Sequence, residues 1–309
     1  MQRVIAVAVN TFREAVRDRV LYGVLGVATF VLLFTLVLAE VSLDQQRRIV
    51  LDVGLASISL FSVVVSIFLG SSLLYKEIER KTLYVILPKP IRRHEFLLGK
   101  YFGIALTAFV FVAIQGAVQL CVSAVQAQVD WRWLLAFAAG MPGLLALTMW
   151  KAHDRTAAIV PWSCLAIAGA GLLAGTTDLQ IVPIFAALVL TLGEVLVLTA
   201  VALFFSAFST PFLTALFTFG VWIVGRSADT MLTMKSRAIP DVAKAVLREL
   251  SRFWPNFNLF VPGRHTLETQ LADGAGPFTY VANNMLYAAA YSLLTLVLAG
   301  LIFQRRNFL

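Results

Sequence analysis

The residues able to do chemistry in this chain are few, and most lie in one stretch. From Tyr75 to Tyr101 the sequence reads YKEIERKTLYVILPKPIRRHEFLLGKY, its most charged segment. Glu77 stands three residues before Arg80 and four before Lys81, spacings that pair opposite charges on one helix face. Glu79, Leu83 and Leu87 lie in the same stretch. Pro88 and Pro90 then force an extended break around Lys89. Arg92, Arg93, His94 and Glu95 open the next helix, which turns apolar near Leu97. A short rigid helix anchored at both ends is suited to receive force from a soluble partner; the plainer alternative is a basic loop. The second chemical feature is Glu194, alone in the apolar run LVLTLGEVLVLTAV. A charge at the centre of a membrane helix costs roughly 2.5–3.5 kcal/mol on insertion scales. It must face a partner, line a cavity or be protonated. It is either a gating or pathway residue or a carboxyl hydrogen-bonded to a neighbouring helix. Gln115 and Gln119, one helical turn apart, are suited to hydrogen bonds across a helix bundle.

Other chemistries find no footing. His94, His153 and His265 have no ligand spacing, so no metal site is expected, and Cys121 and Cys164 each sit in an apolar run with no metal or redox spacing. No G-x-x-x-x-G-K-[ST] phosphate loop occurs, so ATP has no site of that kind here. A membrane enzyme needs His, Asp or Glu clustered near one membrane face, whereas the acids of 75–101 pair with bases. An ion-driven carrier needs several intramembrane charges, and Glu194 is the only deep one.

The elements that position these residues follow from composition. Of 309 residues, 60% are hydrophobic and 14% charged, with mean hydropathy +0.84. Soluble domains carry about 25% charged residues. This chain therefore reads as an all-α integral membrane protein, one polytopic bundle of six to eight spans over 1–309. Six apolar runs are clear, at 20–39, 51–75, 97–127, 181–206, 211–226 and 281–303. Two more, 131–149 and 157–175, contain Pro142 and Pro161, which membrane helices tolerate; 131–175 is either a further helical pair or a re-entrant hairpin. Residues 3–20 read as an amphipathic helix with Ile5, Val9, Phe12, Val16 and Val20 on its apolar face, an interfacial helix preceding the first span. That span reads as an uncleaved signal anchor. Gly99-x-x-x-Gly103 and Gly171-x-x-x-Gly175 permit close helix contact.

Basic residues set the orientation. With eight spans and the N-terminus inside, Arg3, Arg13, Arg17, Arg19, the seven Lys and Arg between Lys76 and Lys100, Lys151, Arg155, Arg305 and Arg306 face the cytoplasm. Arg47, Arg48 and Arg132 occupy short outer loops. The positive-inside rule then places both termini in the cytoplasm. The net charge of +8 is explained by these loops, not by nucleic acid. The long segment 227–280 falls outside. Its residues Val242, Ala243, Val246, Leu247, Leu250 and Phe253 form a helical stripe, followed by the turn Trp254-Pro255-Asn256-Phe257. This either seals the bundle or forms an outer gate.

Acidic residues followed by Arg80-Lys81-Thr82-Leu83, by Leu87-Pro88-Lys89-Pro90 and by Arg92-Arg93-His94-Glu95-Phe96-Leu97-Leu98-Gly99-Lys100 resemble the second type of ABC transporter permease, in the branch linked to maturation of multicopper enzymes such as nitrous-oxide reductase. The resemblance takes in the amphipathic N-terminal helix, Glu194 with Phe205-Ser206-Ala207-Phe208-Ser209, and Pro255-Asn256-Phe257, about two thirds of the chain. The 131–175 stretch departs from the family's six-span plan. The resemblance implies a transport subunit of the cell inner membrane, without catalytic residues or a cofactor of its own. Within the cytoplasmic segment 76–96, a coupling helix from Glu77 to Leu87 would dock on a separate ATPase subunit that binds ATP and Mg. Two permease copies, identical or different, would pair in the bilayer. Movement of a substrate, most readily export, or transmission of force would follow from ATP hydrolysis in the partner.

Overall fold

The computed structural model describes residues 1–41, 45–79, 93–151, 156–227, 249, 254–261 and 277–305. Among these residues the chain is all-α. Its helices are α1 (Gln2–Val16), α2 (Arg19–Val41), α3 (Gln46–Glu79), α4 (Arg93–Gln126), α5 (Trp131–Lys151), α6 (Ile159–Gly175), α7 (Ile181–Ser206), α8 (Pro211–Arg226) and α9 (Pro277–Arg305), with a 3₁₀ turn at Phe257–Phe260 before α9. Six of them, α2, α3, α4, α5, α7 and α9, are long and apolar enough to cross a membrane. The chain is thus a multi-pass helical membrane protein. The run at 131–149 proves long enough to span, as α5. The run at 211–226 forms a shorter helix of 16 residues, α8, because Pro211 and Arg226 bound it. At 17 residues α6 is also short.

The described chain divides into two compact units, one of Met1–Val65 with Phe102–Leu192 and the other of Ser66–Tyr101 with Gly193–Leu309. In the first, the amphipathic N-terminal helix ends at Val16, earlier than its apolar spacing predicts. Asp18 stops it: the carboxylate accepts the amide N–H of Val20 at 3.0 Å and so caps α2. Val20 therefore belongs to α2. Only the second half of the apolar face is covered, with Phe12 and Val16 packed against Val110 of α4. Gly103 makes that approach possible, since a Cβ there would lie 2.5 Å from the Cβ of Thr11. Helix α2 buries one narrow stripe, Ala28, Leu32, Thr35 and Ala39, and presents Phe30, Phe34 and Val37 outward. Such one-sided burial suits a helix with lipid on its other faces.

Two side-chain amides fasten this unit. Gln115 Nε2 donates to the carbonyl of Leu25 at 3.1 Å and to Thr29 Oγ1 at 3.3 Å, both on α2. Gln119 Nε2 donates to the carbonyl of Val50 on α3 at 3.0 Å. Gly54 lets this happen, because any side chain there would collide with the Gln119 amide. Within a bilayer such bonds satisfy groups that lipid cannot.

The 131–175 stretch forms two helices, α5 and α6. The indole N–H of Trp162 donates to the carbonyl of Met141 at 2.9 Å, beside the proline at 142. Gly169 admits Phe137 and Met141 of α5, and Gly171 admits Phe185 of α7. Trp131 and Trp133 begin α5, Trp150 closes it, and all three are exposed. At 1.5 Å per residue the two ends are about 28 Å apart, close to the ~30 Å hydrocarbon thickness that aromatic belts flank.

The second unit joins the end of α3, the start of α4, the last part of α7, and α8 and α9. Ser66 and Thr199 share a hydroxyl hydrogen bond of 2.8 Å, and Gly70 lies against Ala202. Phe96 stacks on Phe303 with ring centroids 6.5 Å apart.

Candidate functional site

One wholly buried charge is neutralised within the second unit. Glu194 is fully buried. Its Oε1 accepts the indole N–H of Trp222 at 2.8 Å and Nη1 of Arg226 at 2.8 Å. Trp222 and Arg226 are four residues apart on α8, so both project from one face. The Arg226 guanidinium also lies 5.7 Å from the centroid of the Trp222 ring, and that ring stacks on Phe219. Arg226 ends α8, where the helix dipole favours a cation. Its side chain keeps 27% of its surface exposed, against none for Glu194. The pair therefore joins a wholly buried acid to a base at the edge of the packed region.

Next to this pair sits the turn that precedes α9. The Asn256 carboxamide oxygen accepts the N–H of Asn258 at 3.0 Å and starts the 3₁₀ turn. Phe257 and Phe260 are both buried. Trp254 Nε1 donates to the carbonyl of Val221 on α8 at 2.9 Å. Three bonds tie the turn to α9: the Asn256 N–H donates to Tyr287 Oη at 3.1 Å, and the Leu259 carbonyl accepts Tyr280 Oη at 2.9 Å and Asn284 Nδ2 at 3.3 Å. Two glycines admit the aromatic rings. At Gly193 a Cβ would lie 2.8 Å from Phe260, and at Gly225 it would collide with the Pro255 carbonyl and the Phe257 ring. Each of these glycines is the sequence neighbour of one member of the ion pair.

The geometry brings Glu194 together with Trp254, Pro255, Asn256 and Phe257, which are far apart in sequence. Gln115 and Gln119 lie elsewhere, in the first unit, as the helix ties described above. Glu77 and Glu79 fall in the last turn of α3; their side chains, and Arg80, Lys81, Leu83 and Leu87, lie outside the described residues, as does most of 227–280. His94 is exposed in the first turn of α4. Among the described residues no three of His, Cys, Asp and Glu come together.

Arg226 and Trp222, the partners of Glu194, did not stand out in the sequence, although a signal was present. Four residues, Ala207–Thr210, separate α7 from α8, and so short a connection makes antiparallel neighbours. Glu194 is twelve residues before the end of α7 and Arg226 fifteen after the start of α8. At 1.5 Å per residue these positions are about 18 and 22 Å from the turn, level with one another.

Chemically the cluster is a fastener. It holds α7 to α8 through charge, and α8 to α9 through the aromatic turn. We expect Gly225→Ala to dislodge the turn and cost about 1–3 kcal/mol, as overpacking does. Gly220→Ala, on the same helix with open space around it, should be neutral or slightly stabilising. Thermal unfolding of the two variants in detergent gives the comparison. No family model matches the chain, and no curated protein matches it.

Proposed function

We propose that this chain is the membrane-spanning permease subunit of an ABC transporter, coupled to ATP hydrolysis in a separate ATPase subunit and paired with a second permease copy. The single observation that carries the reading is the length of two helices. Helices α3 and α4 each have 34 residues, about 51 Å at 1.5 Å per residue. A hydrocarbon core is ~30 Å thick. Both helices are longer than that core requires, and α3 continues for seven residues, 73–79, past its apolar span Gln46–Ser72. The end of α3 and the start of α4 flank the same thirteen residues, 80–92, in the most charged part of the chain. Two long helices that flank a charged segment are suited to act as a lever, and the sequence resemblance names the motor that would grip it. The positive-inside rule supports a cytoplasmic position for residues 80–92.

An ion-driven carrier is the weaker reading. Its acid must exchange a protein partner for a cation, whereas Glu194 is held by Arg226 and Trp222. In the proposed transporter that pair keeps α7 and α8 moving as one body while the lever pushes.

Sidedness tests the reading. With Cys121 and Cys164 replaced by serine, Lys89→Cys should react with a membrane-impermeant maleimide in inside-out vesicles and stay unlabelled in intact cells. Labelling in intact cells overturns the proposal.

A further inference from the structure

We propose that the first unit carries a binding site for one acyl chain of a membrane lipid, in a groove between α2, α4, α5 and α6. The groove has a volume of about 360 Å³ and is walled by Leu33 of α2, Ile114 and Cys121 of α4, Phe137 and Met141 of α5, and Trp162 of α6, among other residues. No charged side chain lines it. Its one strong donor, the Trp162 indole, is already committed to the Met141 carbonyl. Water entering would find too few partners, and apolar cavities of this kind stay dry and take apolar guests.

Position and length select the guest. All four walls are apolar helices, and three of them are long enough to span the bilayer. The site therefore opens onto hydrocarbon, where acyl chains are the material at hand. Along α4 the lining runs from Ile114 to Val125, about 16 Å at 1.5 Å per residue. That is close to half of the ~30 Å core, the depth of one leaflet. Along α5 the lining begins at Leu134, one residue past the Trp131–Trp133 end. The groove thus starts beneath the level where headgroups sit and ends near the midplane. Helix α5 buries none of its residues, so an inserted chain would complete its packing against α2. This assignment stands whether or not the chain couples to an ATPase.

The test uses the full chain in vesicles containing a phosphatidylcholine with a diazirine midway along one acyl chain. Photolysis and peptide mapping should give labelling on 114–125 and 134–142 at least about fivefold above that on the outward-facing residues of α9, such as Leu293, Leu294 and Leu301, which are exposed. Filling the groove with Ala138→Trp should remove this excess and leave α9 labelling unchanged. The two native cysteines give a variant-free check. Cys121 lines the groove and Cys164 is exposed, so stripping lipid should raise the N-ethylmaleimide reactivity of Cys121 several-fold relative to Cys164. Labelling spread evenly over α4, α5 and α9, or a Cys121 rate indifferent to lipid, overturns the site. So does photocrosslinking of a second copy of the chain through this face.

Discussion

Arg226→Ala should lower the melting temperature of the purified protein by about 6 °C, the largest loss expected from any single change outside the charged segment. Glu194 is fully buried and accepts a hydrogen bond from the guanidinium at 2.8 Å. Removing one partner of a buried pair costs about 3–5 kcal/mol, because the remaining charge is left in a medium that cannot solvate it. Arg226 keeps about a quarter of its surface exposed, which places the cost near the lower figure, about 3 kcal/mol. For a chain of this size that corresponds to roughly 2 °C per kcal/mol.

Changing both residues should cost less than changing one. With Glu194→Gln and Arg226→Ala together, the buried charge is gone and the new amide oxygen can still accept from Trp222. The double variant should recover at least half of the loss, with a coupling energy of about 1.5–3 kcal/mol in the cycle. It should also keep transport, because a fastener needs to hold and a pathway acid needs to titrate. A double variant as unstable as Arg226→Ala, or stable but inactive, would show that Glu194 does more than hold α8.

Reversing Glu77 and Arg80 together should release the proposed ATPase partner. Glu77→Lys with Arg80→Glu keeps an opposite-charge pair at i,i+3 and makes the i,i+4 pairing with Lys81 repulsive, a change of about 0.5 kcal/mol, too small to account for lost docking. What changes is the order of charge shown to a docking surface. Losing complementary charge at a desolvated contact costs about 2–5 kcal/mol, and 2 kcal/mol already corresponds to roughly thirtyfold in affinity. Recovery of the ATPase with the tagged chain should fall by at least that factor, while the amount of chain in the membrane stays constant. Equal recovery would remove this segment as the docking site.

How far the sequence disclosed this molecule depends on the kind of signal each part carries. Long apolar runs mark spans unambiguously, so α7 begins and ends where its run does, at Ile181 and Ser206. The end of α1 was hidden because a single cap, Asp18, overrides an apolar spacing that continues to Val20. Glu194 was legible as a costly charge, but its partner was not, since Arg226 at a helix end also reads as a boundary residue. The site is assembled by long-range packing through Gly193 and Gly225, and a glycine does not announce its neighbour. Pairwise level along the α7–α8 hairpin was the one geometric clue. The groove of the first unit left no trace in the sequence, because apolar residues that line a void look like apolar residues that fill a core.

The most direct test of the central claim is affinity purification of the unaltered chain from its native membrane in mild detergent, with ATP hydrolysis measured in the eluate. A subunit bearing a G-x-x-x-x-G-K-[ST] loop should co-elute, and the eluate should hydrolyse ATP with Mg. Transport by the purified chain in vesicles with no nucleotide-hydrolysing companion would contradict it.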